Sequence, residues 1–286
     1  MSKSRPQFSS SPCYAHQFED YCLGQRAPHQ SEGEAIAARL ADLRRRIVNA
    51  CVRAGRDPGS VRLLAVSKTV PAGRLRAAVA ATGFVELAEN KVQEAAQKAE
   101  ALVDLKLRWV VIGHLQSNKA KPVARFASEF QALDRLALAD ALQRRLEREN
   151  RSLDVLVQIN TSGEASKFGV TPEQALPLLR ALPAYSRLRV RGLMTLAVFS
   201  MDAERVRACF RQLRKLRDQL RDVAIAGVAL DELSMGMSGD FEIAIEEGAT
   251  TVRIGQALFG PRLLPDSYYW PEPPDGEAGS SSPSRP

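Results

Sequence analysis

The amino-acid sequence predicts an α/β fold: a single (β/α)8 TIM-type barrel with an extra N-terminal helix. Short apolar runs of strand length alternate with amphipathic helical patterns along residues 33–264. Such alternation is typical of parallel β/α architecture. Eight strand-like runs fall within about 205 residues, which suits a closed barrel better than an open sheet. The spacing does not by itself establish closure.

The predicted elements follow one another in a regular order. The first helix is expected over residues 34–54, because its apolar residues share one face and Gly55 and Pro58 follow it. The predicted strands cover residues 61–67, 84–88, 109–112, 130–133, 155–159, 190–194, 232–235 and 251–254. The predicted helices between them cover residues 72–81, 91–102, 119–125, 137–149, 172–181, 203–221 and 240–247.

Composition excludes several classes of protein. Of the 286 residues, 45% are hydrophobic and 26% are charged, which is typical of a globular protein in water. No stretch is apolar enough for a transmembrane helix, and the N-terminus lacks the apolar core of a signal peptide. The four cysteines are scattered, which argues against a disulfide framework or a cysteine metal site and favours a cytoplasmic location.

The net charge of +7 raises the question of a nucleic-acid partner. The largest basic cluster holds seven Lys and Arg residues from Arg205 to Arg221, with apolar residues between them at helical spacing. No aromatic side chains interleave with the basic face for base stacking. We therefore interpret the segment as an amphipathic helix with a solvated basic face, and we expect neither a nucleic-acid nor a membrane partner.

Both ends of the chain differ in composition from the body. Residues 1–32 carry Ser, Pro, Gln and Gly with little periodicity, which predicts a disordered or loosely attached extension. Residues 265–286 are rich in Pro, Gly and Ser, which predicts a disordered tail. Residues 33–264 are left as one domain.

Two segments near the end of the body are typical of phosphate-binding loops. "SMGMSGD" (234–240) and "VRIGQALFG" (252–260) follow the seventh and eighth predicted strands, where β/α barrels often bind phosphate. Their glycines allow close backbone approach to a ligand, and a helix start offers free N–H groups. Ser238 would add a hydroxyl and Arg253 a positive charge. Alternatively, the glycines serve tight turns only, and Arg253 pairs with an acidic neighbour.

Lys68, which follows the first predicted strand, is the candidate nucleophile. An amine at a barrel mouth, partly shielded from water, is well suited to form a Schiff base with an aldehyde. With a phosphate site on the same face, it suggests pyridoxal 5′-phosphate (PLP). Sugar-phosphate aldolases share both elements, and a lysine that simply reaches solvent also stays open. His114, the one histidine of the body, suits either an acid–base role or a hydrogen bond to loop backbone.

Six segments of the chain carry a family resemblance: "LLAVSKT" (63–69), "ENKVQEAAQK" (89–98), "IGHLQSNKAK" (112–121), "VLVQINTSGEASKFG" (155–169), "VRGLMTL" (190–196) and "LSMGMSGDFEIAIEEGATTVRIGQALFG" (233–260). Together they resemble the pyridoxal phosphate homeostasis protein family. They occur in order and at the family's spacing over residues 34–262. The resemblance implies the fold of the N-terminal barrel domain of alanine racemase, standing alone.

The resemblance also implies a set of cofactor-binding residues. They are Lys68, Asn90, Ser234, Met237, Ser238, Arg253, Gly255 and Gln256. Lys68 matches the lysine that holds PLP as a Schiff base, and Asn90 matches the asparagine near the cofactor. Ser234 is the candidate for a contact near the pyridine ring.

The phosphate end of the implied site departs from the family pattern at one position. Ser238, Arg253 and Gly255 match the phosphate-binding residues, with Met237 beside them. Gln256 stands where a Thr or Ser is usual, so a hydroxyl donor is lost while the backbone N–H remains. Lys91 likewise replaces a usual aromatic residue.

By resemblance, the protein is expected to be a PLP-binding carrier or regulator that keeps free PLP low and affects vitamin B6 and amino/keto acid balance. Alanine racemase needs a second domain and a partner-subunit tyrosine, and we expect no such domain after residue 264. PLP without a well-placed second acid–base group should give little turnover, so no catalytic residue is expected. The alternative is a low-activity PLP enzyme such as an amino acid racemase. The expected partners are PLP and, as recipients, PLP-dependent apo-enzymes; we expect a monomer without a metal.

Overall fold

The computed structural model describes residues 31–164 and 167–261, in which strands alternate with helices. The strands are β1 (Arg62–Ala65), β2 (Glu86–Glu89), β3 (Arg108–Val111), β4 (Ala127–Leu133), β5 (Leu153–Gln158), β6 (Leu188–Met194), β7 (Val228–Ser234) and β8 (Thr251–Ile254). The helices are α1 (Glu32–Arg53), α2 (Ala72–Thr82), α3 (Val92–Ala101), α4 (Ala120–Phe126), α5 (Leu136–Arg148), α6 (Pro172–Ala181), α7 (Ala203–Asp222), α8 (Phe241–Glu246) and α9 (Gln256–Phe259). No helix in this described part is both long and apolar enough to cross a membrane.

The strands are parallel and form one closed sheet. Their order is β1-β8-β7-β6-β5-β4-β3-β2. An isolated parallel bridge between Val66 and Ala88 joins the two end strands, just beyond β1. The predicted (β/α)8 barrel with an extra N-terminal helix is confirmed. Nearly all of the predicted extension and all of the predicted tail lie outside the described residues.

The extra helix α1 begins with a capping box. Ser31 Oγ accepts a hydrogen bond from the Glu34 N–H (3.2 Å), and the Glu34 carboxylate accepts one from the Ser31 N–H (2.8 Å). This pairing satisfies N–H groups that the first helical turn would leave without a partner. The helix therefore begins at Glu32, two residues before its predicted start. It packs against α2, α8 and α9, the helices next to β1 and β8 in the chain.

Two strands, β4 and β7, begin three or more residues earlier than predicted, because charged residues interrupt their apolar pattern. β4 begins three residues before the predicted 130, and β7 begins four residues before the predicted 232. In β4, Glu129 points into the barrel and accepts two hydrogen bonds from Arg62 (2.9 and 2.8 Å). In β7, Glu232 lies 3.7 Å from the same guanidinium. Glu129 and Glu232 therefore belong to strands, although a charged residue breaks the apolar pattern by which the strands were predicted.

Side chains alternate between the barrel interior and the space beneath the helices. Leu64, Val66, Ala88 and Val110 form a small buried cluster of their own, while a larger core lies between strands and helices. Leu64 is 0% and Ala65 is 1% exposed. The second half of β1 is thus buried on both faces, as is typical of a strand in a parallel sheet.

The basic segment forms the predicted amphipathic helix, α7, but part of its basic face is not simply solvated. Arg207, Arg211 and Arg214 surround the carboxylate of Glu247 at 3.4, 3.1 and 3.3 Å. Glu247 is 5% exposed. Glu247, at the end of α8, is therefore buried, because three cations distant in sequence compensate for the loss of its hydration.

Candidate cofactor site

Lys68 lies three residues beyond the end of β1. Leu64 and Val66 belong to the interior cluster, and continuation of the two-residue repeat of an extended chain would turn Lys68 to the same side. Lys68 is half-buried and lines a cleft together with Gly255 and Gln256. The structure therefore brings the predicted nucleophile beside two predicted phosphate-binding positions.

Asn90 follows β2 and lies two residues beyond the inward-facing Ala88. The loop after β3 packs directly onto its backbone. A Cβ atom at Gly113 would lie 2.2 Å from the Asn90 carbonyl oxygen, so a residue with a side chain does not fit there. Asn90 is thus held at the barrel mouth, one strand away from Lys68.

Arg253 and Ser234 are joined inside the barrel. Arg253 Nη1 donates to Ser234 Oγ (2.8 Å), and Nη2 donates to the carbonyl oxygen of Thr195 (2.8 Å). Ser234 Oγ in turn donates to Gln131 Oε1 (2.6 Å). The side chain of Arg253 is therefore grouped with Ser234, the predicted ring contact, whereas Ser238 accepts a hydrogen bond from a residue of α9.

The guanidinium of Arg253 is a buried positive charge, with the residue only 3% exposed. Burial lowers the pKa of Arg253 to about 10, and the nearby Asp240 carboxylate opposes this shift. The group is still charged near neutral pH. Because its acceptors on Ser234 and Thr195 are neutral oxygens, an electron-rich or anionic ligand would complement it.

The loop after β7 turns sharply at Gly236. Its φ is +91°, and a Cβ atom there would lie 2.5 Å from Ala244 Cβ and 2.9 Å from Phe241 Cα. Only glycine suits this position. Asp240 Oδ1 accepts a hydrogen bond from the Met237 N–H (2.5 Å), which closes the loop. Burial raises the pKa of Asp240, while the Met237 N–H opposes the shift.

Ser238 connects this loop to the next. Its Oγ accepts a hydrogen bond from the N–H of Ala257, in α9 (3.2 Å). Gly255 lies against the chain just beyond β1, where a Cβ atom would meet a carbonyl oxygen at 3.2 Å. Gln256 is the first residue of α9. The structure therefore brings Ser238 to α9, and it brings Gly255 and Gln256 beside Lys68.

These residues fit a phosphorylated aldehyde better than a metal. They combine an amine, a buried guanidinium, a hydroxyl and two glycine-containing turns, which suit an aldehyde, an electron-rich ring and a phosphate. Within residues 31–164 and 167–261, no three His, Cys, Asp or Glu side chains come together as metal ligands would. The aldehyde, the pyridine ring and the phosphate of PLP match this set.

His114 joins three loops at the mouth. Its ring stacks on Phe168, with centroids 3.8 Å apart and planes 10° from parallel. Its Nδ1 lies 3.2 Å from Asp134 Oδ2, and Asp134 Oδ1 accepts a hydrogen bond from Arg135 (2.5 Å). The sequence analysis left two roles open for His114, an acid–base role and a hydrogen bond to loop backbone. The contacts of His114 in the structure are with the carboxylate of Asp134 and the ring of Phe168.

Two residues of this region escaped the sequence analysis. Gln131 is a polar exception within the fourth predicted strand, and that irregularity is the signal that could have found it. No sequence pattern could have identified Phe168, because the ring on which it stacks belongs to His114, on a different loop.

Comparisons with known proteins agree with this geometry. The model of the alanine racemase N-terminal domain family matches residues 38–263. The pyridoxal phosphate homeostasis protein of Aquifex aeolicus is 46% identical over 224 residues, which are 78% of this chain and 97% of that protein. The protein of the same name from Pseudomonas aeruginosa is 45% identical over 227 residues, 79% of this chain and 96% of its own length.

A solved relative has the same fold. PipY of Synechococcus elongatus, in its structure with PLP bound, superposes with a TM-score of 0.69 at 37% identity. The match covers 79% of this chain and 100% of PipY. The bound PLP is a property of PipY.

Proposed function

The chain belongs to the alanine racemase N-terminal domain family and, within it, to the pyridoxal phosphate homeostasis proteins, and from this membership we propose that it binds PLP through Lys68 and acts as a carrier or regulator of PLP. One observation carries the proposal. Lys68 lines one cleft with Gly255 and Gln256, which directly follow β8, the strand that carries the buried charge of Arg253.

Each residue has a separate task in this proposal. PLP supplies an aldehyde that an amine can capture reversibly with release of water. Lys68 supplies the amine. The turns at Gly236 and Gly255 and the hydroxyl of Ser238 receive the phosphate. Arg253 orients Ser234 and places a positive charge next to the ring.

We propose carriage rather than robust catalysis. A racemase needs an acid–base group on each face of its substrate. Tyr185 is the one tyrosine in the described residues, and it precedes β6, at the end of the barrel opposite the mouth. The pair of His114 and Asp134 favours the alternative, a low-activity PLP enzyme, because it could move a proton at the mouth.

The binding proposal is tested by trapping the cofactor. Purified protein mixed with PLP and reduced with borohydride should gain the mass of one reduced PLP, on the peptide that contains Lys68. Lys68→Ala should remove this gain. Lys121→Ala, which changes an exposed lysine of α4, is the control and should keep it. A protein that gains no mass, or gains it equally in Lys68→Ala, would overturn the proposal.

Carrier and enzyme are then separated by two assays on the loaded protein. A carrier should restore the activity of a PLP-dependent apo-enzyme and should racemise L-alanine no faster than free PLP. Racemisation well above free PLP that is lost in both Lys68→Ala and His114→Ala would favour the enzyme instead.

A further inference from the structure

A buried ion cluster lies directly behind Lys68. Lys98, in α3, donates from Nζ to Glu89 Oε1 (2.6 Å), Glu94 Oε1 (2.6 Å) and the carbonyl oxygen of Ser67 (2.7 Å). Glu89 is 0% exposed and Lys98 is 7% exposed. We refer to Glu89, Glu94 and Lys98 as the Lys98 cluster. It lies between the barrel wall and α3, next to Ser67, the residue that precedes Lys68.

The Lys98 cluster spans the joint at which the barrel closes. The chain beyond β1 meets β2 through the single Val66–Ala88 bridge and a hydrogen bond from the Ser67 N–H to the Ala88 carbonyl oxygen (2.9 Å). Ser67 Oγ also donates to Glu89 Oε1 (2.7 Å). Lys98 therefore connects the two strands through Ser67 on one side and Glu89 on the other.

The same cluster holds both neighbours of Lys68. Ser67 is bound through its carbonyl oxygen to Lys98, and the Thr69 N–H donates to Glu94 Oε1 (2.7 Å). Thr69 has φ +68°, in the left-handed region that a β-branched residue rarely adopts. Such strain persists only where the surroundings enforce it, and it concentrates at functional sites.

Stability alone is a poor explanation for the cluster. Two carboxylates share one ammonium, and Glu89 Oε2 is buried without a hydrogen-bond partner. Burial raises the pKa of Glu89, and Lys98 opposes the shift. Buried ion pairs often contribute less stability than apolar residues of similar size.

We infer that Glu89, Glu94 and Lys98 are positioning residues, which hold the chain on both sides of Lys68 so that its amine faces the aldehyde of PLP. The inference rests on the proposed function. Without the cluster, the strained turn at Thr69 can relax and carry the amine away, while the phosphate loops stay intact.

A pair of ligands separates positioning from folding. Pyridoxine 5′-phosphate has the ring and phosphate of PLP but a hydroxymethyl group instead of the aldehyde, so it cannot bond to Lys68. Glu94→Ala removes the acceptor of the Thr69 N–H, whereas Glu94→Gln keeps an oxygen there. The dissociation constants of both ligands are measured for the full chain and both variants. Glu94 has 27% side-chain exposure, which makes it the milder site to change.

Glu94→Ala is expected to weaken PLP binding about 10- to 100-fold while changing pyridoxine 5′-phosphate binding less than about twofold. Glu94→Gln should stay close to wild type. Equal PLP affinity in Glu94→Ala and wild type, or an equal loss for both ligands, would overturn the inference. If the wild-type protein forms no bond to PLP at Lys68, the proposed function fails first, and the trapping experiment identifies that case separately.

Lys98→Met tests the centre of the cluster, with Arg151→Met as its matched control. Arg151 is also a cation that donates to backbone carbonyl oxygens (Ala124, 2.7 Å; Ala127, 2.8 Å), but it precedes β5 at the far end of the barrel. Lys98→Met should lose PLP selectively, and Arg151→Met should bind both ligands as wild type does. A selective loss of PLP in Arg151→Met would contradict a positioning role.

Discussion

Arg62 faces three carboxylates at the N-terminal end of the barrel. It donates two hydrogen bonds to Glu129, and it lies 3.8 Å from Glu86 and 3.7 Å from Glu232. Glu232 Oε2 is buried without a hydrogen-bond partner. Burial raises the pKa of Glu232, and the charge of Glu129 adds to the shift. The ionised form of Glu232 is therefore disfavoured in the folded protein.

Glu232→Gln should stabilise the protein in a pH-dependent way. A carboxyl with a raised folded pKa contributes stability below its ordinary pKa of 4.5, and this contribution is lost as the pH rises through the folded value. The amide cannot ionise, so the variant should gain up to about 1 kcal/mol of unfolding free energy at pH 7. The gain should vanish near pH 4.

Urea denaturation at a series of pH values checks this expectation. Asp231→Asn, a change at the exposed neighbour, is the control and should shift the unfolding free energy by less than about 0.5 kcal/mol. A destabilised Glu232→Gln at pH 7 would show that the contacts of Glu232 with Arg62 outweigh its desolvation.

At the scale of the element, β6 and β7 approach each other more closely than side chains normally allow. A Cβ atom at Gly192 would lie 1.9 Å from the Glu232 carbonyl oxygen. The register of this pair also shifts between Val190 and Gly192. The contact is between backbones, so no side-chain rotation can relieve it.

Gly192→Ala is therefore expected to lower the free energy of unfolding by about 2–4 kcal/mol. Gly73→Ala is the control, because Gly73 lies in α2 with nothing within 4 Å of an added Cβ. It should be neutral or stabilising by about 0.5 kcal/mol, through lower entropy of the unfolded chain. Urea denaturation of both variants measures the difference, and equal stabilities would refute the backbone contact.

At the scale of the whole molecule, the site depends on how the barrel closes. Lys68, Asn90, Arg253 and the loops after β7 and β8 come from the ends of four strands, β1, β2, β7 and β8. They meet because the closed sheet brings all its C-terminal strand ends to one rim. The buried core residues of the described part fall within the sequence from Ile36 in α1 to Phe259 in α9.

Residues 31–264 should accordingly suffice for PLP binding. The Aquifex aeolicus relative matches this chain over 97% of its own length with 224 residues, which supports treating the two ends as dispensable. The shortened chain should bind PLP within about twofold of the full chain and melt within about 3 °C of it. Titration with PLP and thermal unfolding measure both. A large loss of affinity would instead assign one of the ends a part in the site.

The sequence predicted which of the site's residues lie near one another better than it predicted their hydrogen bonds. Lys68, Gly255 and Gln256 were expected together and do line one cleft. Arg253 was expected at the phosphate, but its hydrogen bonds connect it to Ser234 and Thr195. The position of a residue along its strand determines which end of the barrel it occupies, and this position can be predicted from the sequence. Its hydrogen bonds depend on residues of other strands that are distant in the chain, and these cannot be predicted in the same way.

The sequence by itself determined the alternation of strands and helices and the place of Lys68 at a strand end, because apolar periodicity is local information. Closure of the barrel depends on the contact between Val66 and Ala88, which are distant in the chain. The tertiary structure alone decided which charges are buried. Nothing in the sequence distinguishes Glu247 or Lys98 from an exposed charged residue. In the structure, Glu247 lies among three arginines, and Lys98 lies between Glu89 and Ser67. Their burial depends on partners that only the packing of α3, α7 and α8 against the barrel brings within reach.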